Sequence, residues 1–243
     1  NEDLHREAAT LPRSSGYFST FSGFLLLTAT LFAVGYSVVS SGPAHALARF
    51  DFEQKYLVHP EIQTWDFCVV RHDGTYHIFY TAIPDEEAHS SAADSLYHAT
   101  SLDLKRWTLE GPVLAVGADN YNAGALWAPD VVWDDATQLW HMAYTTADDI
   151  LVQRISFATS SNLYDWTEDW ENPIVEPEPG LGYVWAPDRA WSDFRDPYIY
   201  RENDQWHMLV TAKQLIDRNR GVIWHGVSDD LRDWNDVGPM FVN

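Results

Sequence analysis

Three segments of this chain repeat one pattern at nearly constant spacing, and that periodicity excludes most folds before any single residue is considered. Tyr76-His-Ile-Phe-Tyr-Thr81, Trp140-His-Met-Ala-Tyr-Thr145 and Trp206-His-Met-Leu-Val-Thr211 begin 64 and 66 residues apart. Each opens with an aromatic residue and a histidine, then alternates as a half-buried strand does. A second signature follows each: Ser101-x-Asp103-Leu104-x-x-Trp107, Ser160-x-Asn162-Leu163-x-x-Trp166 and Ser228-x-Asp230-Leu231-x-x-Trp234. A unit of this size is a small antiparallel sheet that cannot bury both faces until neighbours stack on it. The chain from residue 49 onward is therefore expected to be all-β, a propeller with about three blades. The Ser and Asp or Asn side chains can bond the turn backbone, and the Trp can fill the space between sheets. His77, His141 and His207 occupy one slot in every repeat, which marks them as architecture.

Counting back 11 residues from each of these histidines gives Asp66, Asp130 and Asp196. Equivalent positions in a propeller are related by rotation about its axis, so the three carboxylates are expected to converge on one end of the channel. Glycoside hydrolysis uses such a group, one carboxyl protonating the leaving oxygen and another activating water or attacking carbon. A further negative neighbour can raise the acid's pKa. The alternative for each Asp is a carboxylate that satisfies backbone amides where a strand begins. Trp127-Ala-Pro-Asp130 and Phe194-Arg-Asp196-Pro197 add aromatic, cationic and rigid residues beside two of them.

These motifs, with the Ser-x-Asp-Leu-x-x-Trp repeat, resemble the clan of five-bladed β-propeller enzymes that contains glycoside hydrolase families 43 and 32. The resemblance runs from about Phe50 to the end and implies a hydrolase of pentose- or fructose-containing saccharides (arabinan, xylan or fructan type). It implies that Asp66 is the catalytic first-blade carboxylate, general base in family 43 and nucleophile in family 32. Asp196 matches the third-blade aspartate that binds sugar hydroxyls and tunes the acid, with Arg195 as its charge partner or a hydroxyl ligand. Asp130 and Trp127 would form the second-blade wall, and Trp65 and Trp185 would add aromatic surface for sugar rings. Trp65-Asp66-Phe67 departs from the Asp-Pro of family 43, and further from the Asn-Asp-Pro-Asn-Gly of invertases. In this clan the acid is a Glu one blade after the Arg-Asp-Pro aspartate, which at about 65 residues per repeat falls beyond Asn243.

The remaining features concern setting and partners. Residues 1–48 contain a stretch without formal charge between Arg13 and Arg49, with an apolar centre over 24–39 and Ala44-His45-Ala46 after it. This order matches a secretory signal or, uncleaved, a membrane anchor, so the propeller is expected to be extracellular or periplasmic. A membrane is a partner only if that segment is retained. There are 36 Asp plus Glu against 15 Lys plus Arg, a net charge of -21, which repels nucleic acid. Cys68 is the sole cysteine. No nucleotide-binding loop or zinc-type motif occurs, so no cofactor or metal is expected. The competing functions are a non-catalytic carbohydrate-binding propeller and a transferase or phosphorylase on the same scaffold.

Overall fold

Each repeat folds into an antiparallel meander. The computed structural model describes residues 57, 59, 62–84, 92–118, 121–177, 185–186, 191–214 and 220–242, with backbone only at 185–186 and 191–192. The expected leader, 1–48, lies outside the described residues. The first sheet is β1 (Ile62–His72), β2 (Thr75–Pro84), β3 (Ser95–Ser101) and β4 (Thr108–Ala115). The second is β5 (Ala125–Asp134), β6 (Leu139–Ala147), β7 (Gln153–Ser160) and β8 (Thr167–Glu168). A short ribbon of β9 (Trp185–Ala186) and β10 (Trp191–Ser192) precedes the third sheet. That sheet is β11 (Phe194–Glu202), β12 (Gln205–Gln214), β13 (Arg220–Ser228) and β14 (Asn235–Asp236), with β15 (Phe241–Val242) also on β13. No α-helix occurs among the described residues. The three sheets are propeller blades, and β1, β5 and β11 are the strands through which neighbouring blades meet.

The core lies between the blades, as expected for sheets that bury their faces by stacking. Phe79 and Leu96 of the first blade pack with Leu126, Val131, Met142 and Tyr144 of the second. Ala143, Ile155 and Phe157 of the second pack with Phe194, Ile199, Met208 and Trp224 of the third.

The Ser-x-Asp/Asn-Leu turn explains its own recurrence. Ser160 Oγ accepts from the Leu163 amide at 2.9 Å, and Asn162 Oδ1 accepts from the Tyr164 and Asp165 amides at 2.9 and 2.8 Å. The leucine then adopts a left-handed backbone, with φ of 61°, 68° and 65° at Leu104, Leu163 and Leu231. That conformation helps aim the last two at the preceding blade, where both are buried. The repeated histidines are hydrogen-bonded within their own blades, His141 Nε2 lying 3.0 Å from Thr137 Oγ1. His77 Nδ1 lies 3.0 Å from His98 Nε2, and His207 Nδ1 lies 2.9 Å from His225 Nε2.

The inner hairpins differ in the length of their turns. Asp73-Gly74 and Asn203-Asp204 are two-residue turns with positive φ throughout, matching the twist of the flanking strands. Between β5 and β6 the last pair is Asp134 with Leu139, so residues 135–138 form a four-residue turn. The Asp134 carboxylate fixes it by accepting from the amides of Ala136 and Thr137.

Candidate active site

All three inner strands carry one extra residue at the same height. The register shifts between Trp65 and Phe67 in β1, between Trp127 and Asp130 in β5, and between Arg195 and Tyr198 in β11. In each case the residue before the bulge pairs with a threonine of the next strand: Trp65 with Thr81, Trp127 with Thr145, Arg195 with Thr211. The next residue has positive φ: Asp66 at 23°, Ala128 at 47° and Asp196 at 60°. Such bulges re-aim a side chain, and they recur beside active sites.

The shared slot is thus Asp66, Ala128 and Asp196, which corrects the expectation that Asp130 is their rotational equivalent. A fixed offset from the histidine counts turn residues along with strand residues. The β5–β6 turn is two residues longer than the others, so 11 steps back from His141 stops two residues short of the slot. Asp130 instead shares its position with Cys68 and Tyr198, which pair respectively with Ala143, Phe79 and Leu209.

Asp66 and Asp196 do come together. They line a cleft of about 350 Å³ with Trp65, Thr81, Trp127, Gln153, Asp193 and Arg195. Both also line a second space of about 490 Å³, bounded by Phe67, Cys68, Ala128, Pro129, Asp130 and Tyr198. Asp130 reaches only this second space. Trp65 is 41% exposed and offers the accessible indole, whereas Trp127 is 7% exposed and packed against Ile83, Ala93 and Ala147. Trp127 thus contributes to the cleft wall with most of its indole covered. The side chain of Trp185 lies outside the described residues.

Charge in the cleft is organised around a residue that no motif marked. Asp193 accepts from Arg195 Nη1 and from Lys213 Nζ, each at 2.8 Å. Burial pushes its pKa up, but hydrogen bonds and charge from Lys213 and Arg195 outweigh that and hold it below the usual carboxylate range. Arg195 Nε lies 3.5 Å from Asp196 Oδ2, and Arg195 Nη1 donates to Gln153 Oε1 at 3.4 Å. Asp196 sits above the usual range because burial favours its neutral form; Arg195 opposes this and the charge of Asp66 adds to it. Asp130 is pushed up to about 6 by burial, against the pull of the Ile199 and Val131 amides. Its Oδ2 accepts from the Ile199 amide at 2.6 Å.

Sequence reasoning missed Asp193, Gln153 and Thr81. Asp193 adjoins the Phe194-Arg-Asp196 motif, so extending that motif by one residue would have found it. Gln153 opens β7 and enters the cleft through blade packing, which leaves no local mark. Chemically, the cleft offers a carboxylate pair with different surroundings, an arginine held in place by Asp193, and one exposed indole.

The comparisons with known proteins converge. The model of the glycosyl hydrolases family 32 N-terminal domain matches residues 68–243. An acid beta-fructofuranosidase of Solanum lycopersicum is 30% identical over 150 residues, 58% of this chain and 22% of that protein. A probable sucrose-6-phosphate hydrolase of Psychromonas ingrahamii is 29% identical over 170 residues, 68% of this chain and 28% of its own length. Among solved structures, the exo-inulinase of Aspergillus awamori superposes with a TM-score of 0.58 at 21% identity, covering 77% of this chain and 39% of the other. The chain thus spans well under half the length of these relatives, and the structural likeness speaks for the fold.

Proposed function

The chain belongs to glycosyl hydrolase family 32, and from that premise we propose that its protein hydrolyses fructose-containing glycosides of the sucrose or fructan type. Between the two families that the motifs resemble, the match falls on the one from whose first-blade motif Trp65-Asp66-Phe67 departs more. The observation that carries the proposal is the pairing of Asp66 and Asp196 in equivalent bulge slots at the mouth of one cleft.

In this proposal Asp66 is the nucleophile: its carboxylate attacks the anomeric carbon as the glycosidic C–O bond breaks, and the leaving oxygen takes a proton from the glutamic acid expected one blade after Asp196. Water then opens the glycosyl-enzyme ester with net retention, returning a proton to that group. Asp196 accepts hydrogen bonds from sugar hydroxyls, and its burial, which raises its pKa, favours the form that can also donate. Arg195 contributes a fixed donor, and Trp65 an apolar surface for a ring. The solved fructofuranosidase of Schwanniomyces occidentalis in complex with fructose shows that this fold can hold such a sugar, which supports a carbohydrate ligand here. Export is part of the same proposal, resting on the charge-free apolar stretch before Ala44-His45-Ala46. N-terminal sequencing of exported protein should begin near Leu47, and an intact leader on cytoplasmic protein would refute it.

The test of activity is hydrolysis of sucrose and inulin by the complete gene product. Asp66→Asn should lower kcat on the order of 10⁴-fold with intact folding, as loss of a nucleophile does. Mass spectrometry of Asp66-containing peptides from rapidly quenched reactions should show an added fructosyl group. Unimpaired turnover by Asp66→Asn would overturn the assignment. Transfer of the fructosyl group mainly to sugar acceptors would favour a transferase.

A further inference from the structure

We propose that Asp130 is a positioning residue for Asp196: from the second blade, its carboxylate fixes the main chain of the third-blade bulge that presents Asp196 to the cleft. This rests on the assignment of Asp196 as a site carboxylate.

β11 is the inner edge of its sheet, so its alternate amides point away from β12 and need acceptors from elsewhere. Before the bulge the outward amides are those of Phe194 and Asp196. The extra residue shifts the parity, so the next outward positions are Pro197, which has no N–H, and Ile199. The second blade supplies an acceptor for every one of these amides. Phe194 donates to Gln153 Oε1 at 3.1 Å, Asp196 to Thr145 Oγ1 at 2.9 Å and Ile199 to Asp130 Oδ2 at 2.6 Å. The acceptors come from β7, β6 and β5, and the last two bracket the bulge. A residue with φ of 60° persists when its surroundings over-determine it, and Asp130 and Thr145 are those surroundings.

The preceding interface provides an internal comparison. There Leu126 donates to the Ala93 carbonyl at 2.9 Å and Ala128 to Thr81 Oγ1 at 2.9 Å. The third amide, that of Val131, faces both the Cys68 thiol, which shares Asp130's register position, and the Asp130 carboxylate of its own strand. From the first blade, then, the bulge that carries Ala128 meets only a neutral, weakly accepting thiol at this position. A carboxylate, whose charge-assisted bond is about twice as strong as a neutral one, stands under the bulge that carries Asp196. The pKa of Asp130 would suit a general acid, but one of its oxygens is committed to Ile199 and it lies outside the cleft of Trp65 and Arg195.

The test is NMR on the isotope-labelled chain, comparing the parent with Asp130→Asn and Asp130→Ala. Asparagine keeps an oxygen acceptor but loses the charge assistance, so exchange of the Ile199 amide should rise by less than in the alanine variant while the Asp196 carboxyl titrates close to its parental value. Alanine removes the acceptor. Ile199 exchange should then accelerate about tenfold, and the Asp196 titration should fall toward the ordinary carboxylate range as water reaches it. Leu126 and Ala128 amides at the other interface should not change. The proposal is overturned if alanine leaves Ile199 and Asp196 at parental values, or if asparagine moves both as far as alanine does. Should Asp130→Ala not fold, Asp130→Ser takes its place, with the same expectation of faster exchange at Ile199. None of these readouts uses a sugar, so a failed hydrolysis test would not disturb them, and their failure would leave Asp66 and Asp196 as proposed.

Discussion

Arg195 touches three partners, and how it divides itself among them sets the electrostatics of the cleft. Asp193 holds it at 2.8 Å while also binding Lys213, leaving Asp196 a looser contact at 3.5 Å. Replacing Asp193 by alanine should release Arg195 toward Asp196, favour the ionised form of that carboxyl and lower its pKa. Carboxyl-carbon NMR titration of Asp193→Ala against the parent measures this directly, and an unmoved Asp196 would mean that Asp193 does not control Arg195. Asp66, Arg195 and Asp196 could be picked out from sequence because they sit in motifs or in the repeat. Asp193 lies one residue outside the motif and takes its role from Lys213 on the neighbouring strand, whereas the role of Gln153 arises from the stacking of one blade on the next and leaves no mark in sequence.

At the level of strands and turns, the repeat made most of the fold legible, because each blade solves the same burial problem with the same residues. The leucine of the Ser-x-Asp/Asn-Leu turn shows how context then separates identical motifs. Leu163 is fully buried against the first blade and Leu231 is 3% exposed against the second, while Leu104 is 43% exposed. Leu163→Ala should therefore cost about 2–5 kcal/mol, and Leu104→Ala less than about 0.5 kcal/mol, in urea unfolding of otherwise identical chains. Equal losses would contradict burial of the motif leucine between blades. The site was less legible for a related reason. Register is set by pairing across a hairpin, and the four-residue turn 135–138 displaces the second blade by two positions relative to its neighbours. Asp130 thereby leaves the slot that a simple count assigns it, and Ala128 takes the slot without any sequence mark.

For the molecule as a whole, the junction between the first two blades is expected to be the acid-sensitive one. His98 is 1% exposed, stacked on Phe79 with centroids 4.6 Å apart and on His77 at 5.1 Å, and Tyr164 of the second blade closes the cluster edge-on at 5.1 Å. Its Nε2 is engaged by His77, and its buried Nδ1 has no hydrogen-bond partner. Burial, followed by repulsion from His77, lowers its pKa from 6.5 to about 3. A lowered histidine pKa means that the unfolded chain binds the proton first. Stability from this site is complete above about pH 6.5 and is lost as pH falls from there toward 3, at about 1.4 kcal/mol per pH unit. Asp130 acts with the opposite sign. Its pKa is raised to about 6, so the folded chain binds that proton first and stability declines as pH rises through the interval from about 4 to 6. The two slopes oppose each other over that interval, so a single stability profile would conceal both. A difference measurement separates them: urea unfolding of the parent and His98→Gln at pH 7.5, 6.5, 5.5 and 4.5. The stability of the parent relative to the variant should decline steadily below pH 6.5, because only the parent carries the buried imidazole. A constant difference across the series would show that the imidazole of His98 takes up its proton equally well in the folded and unfolded chains.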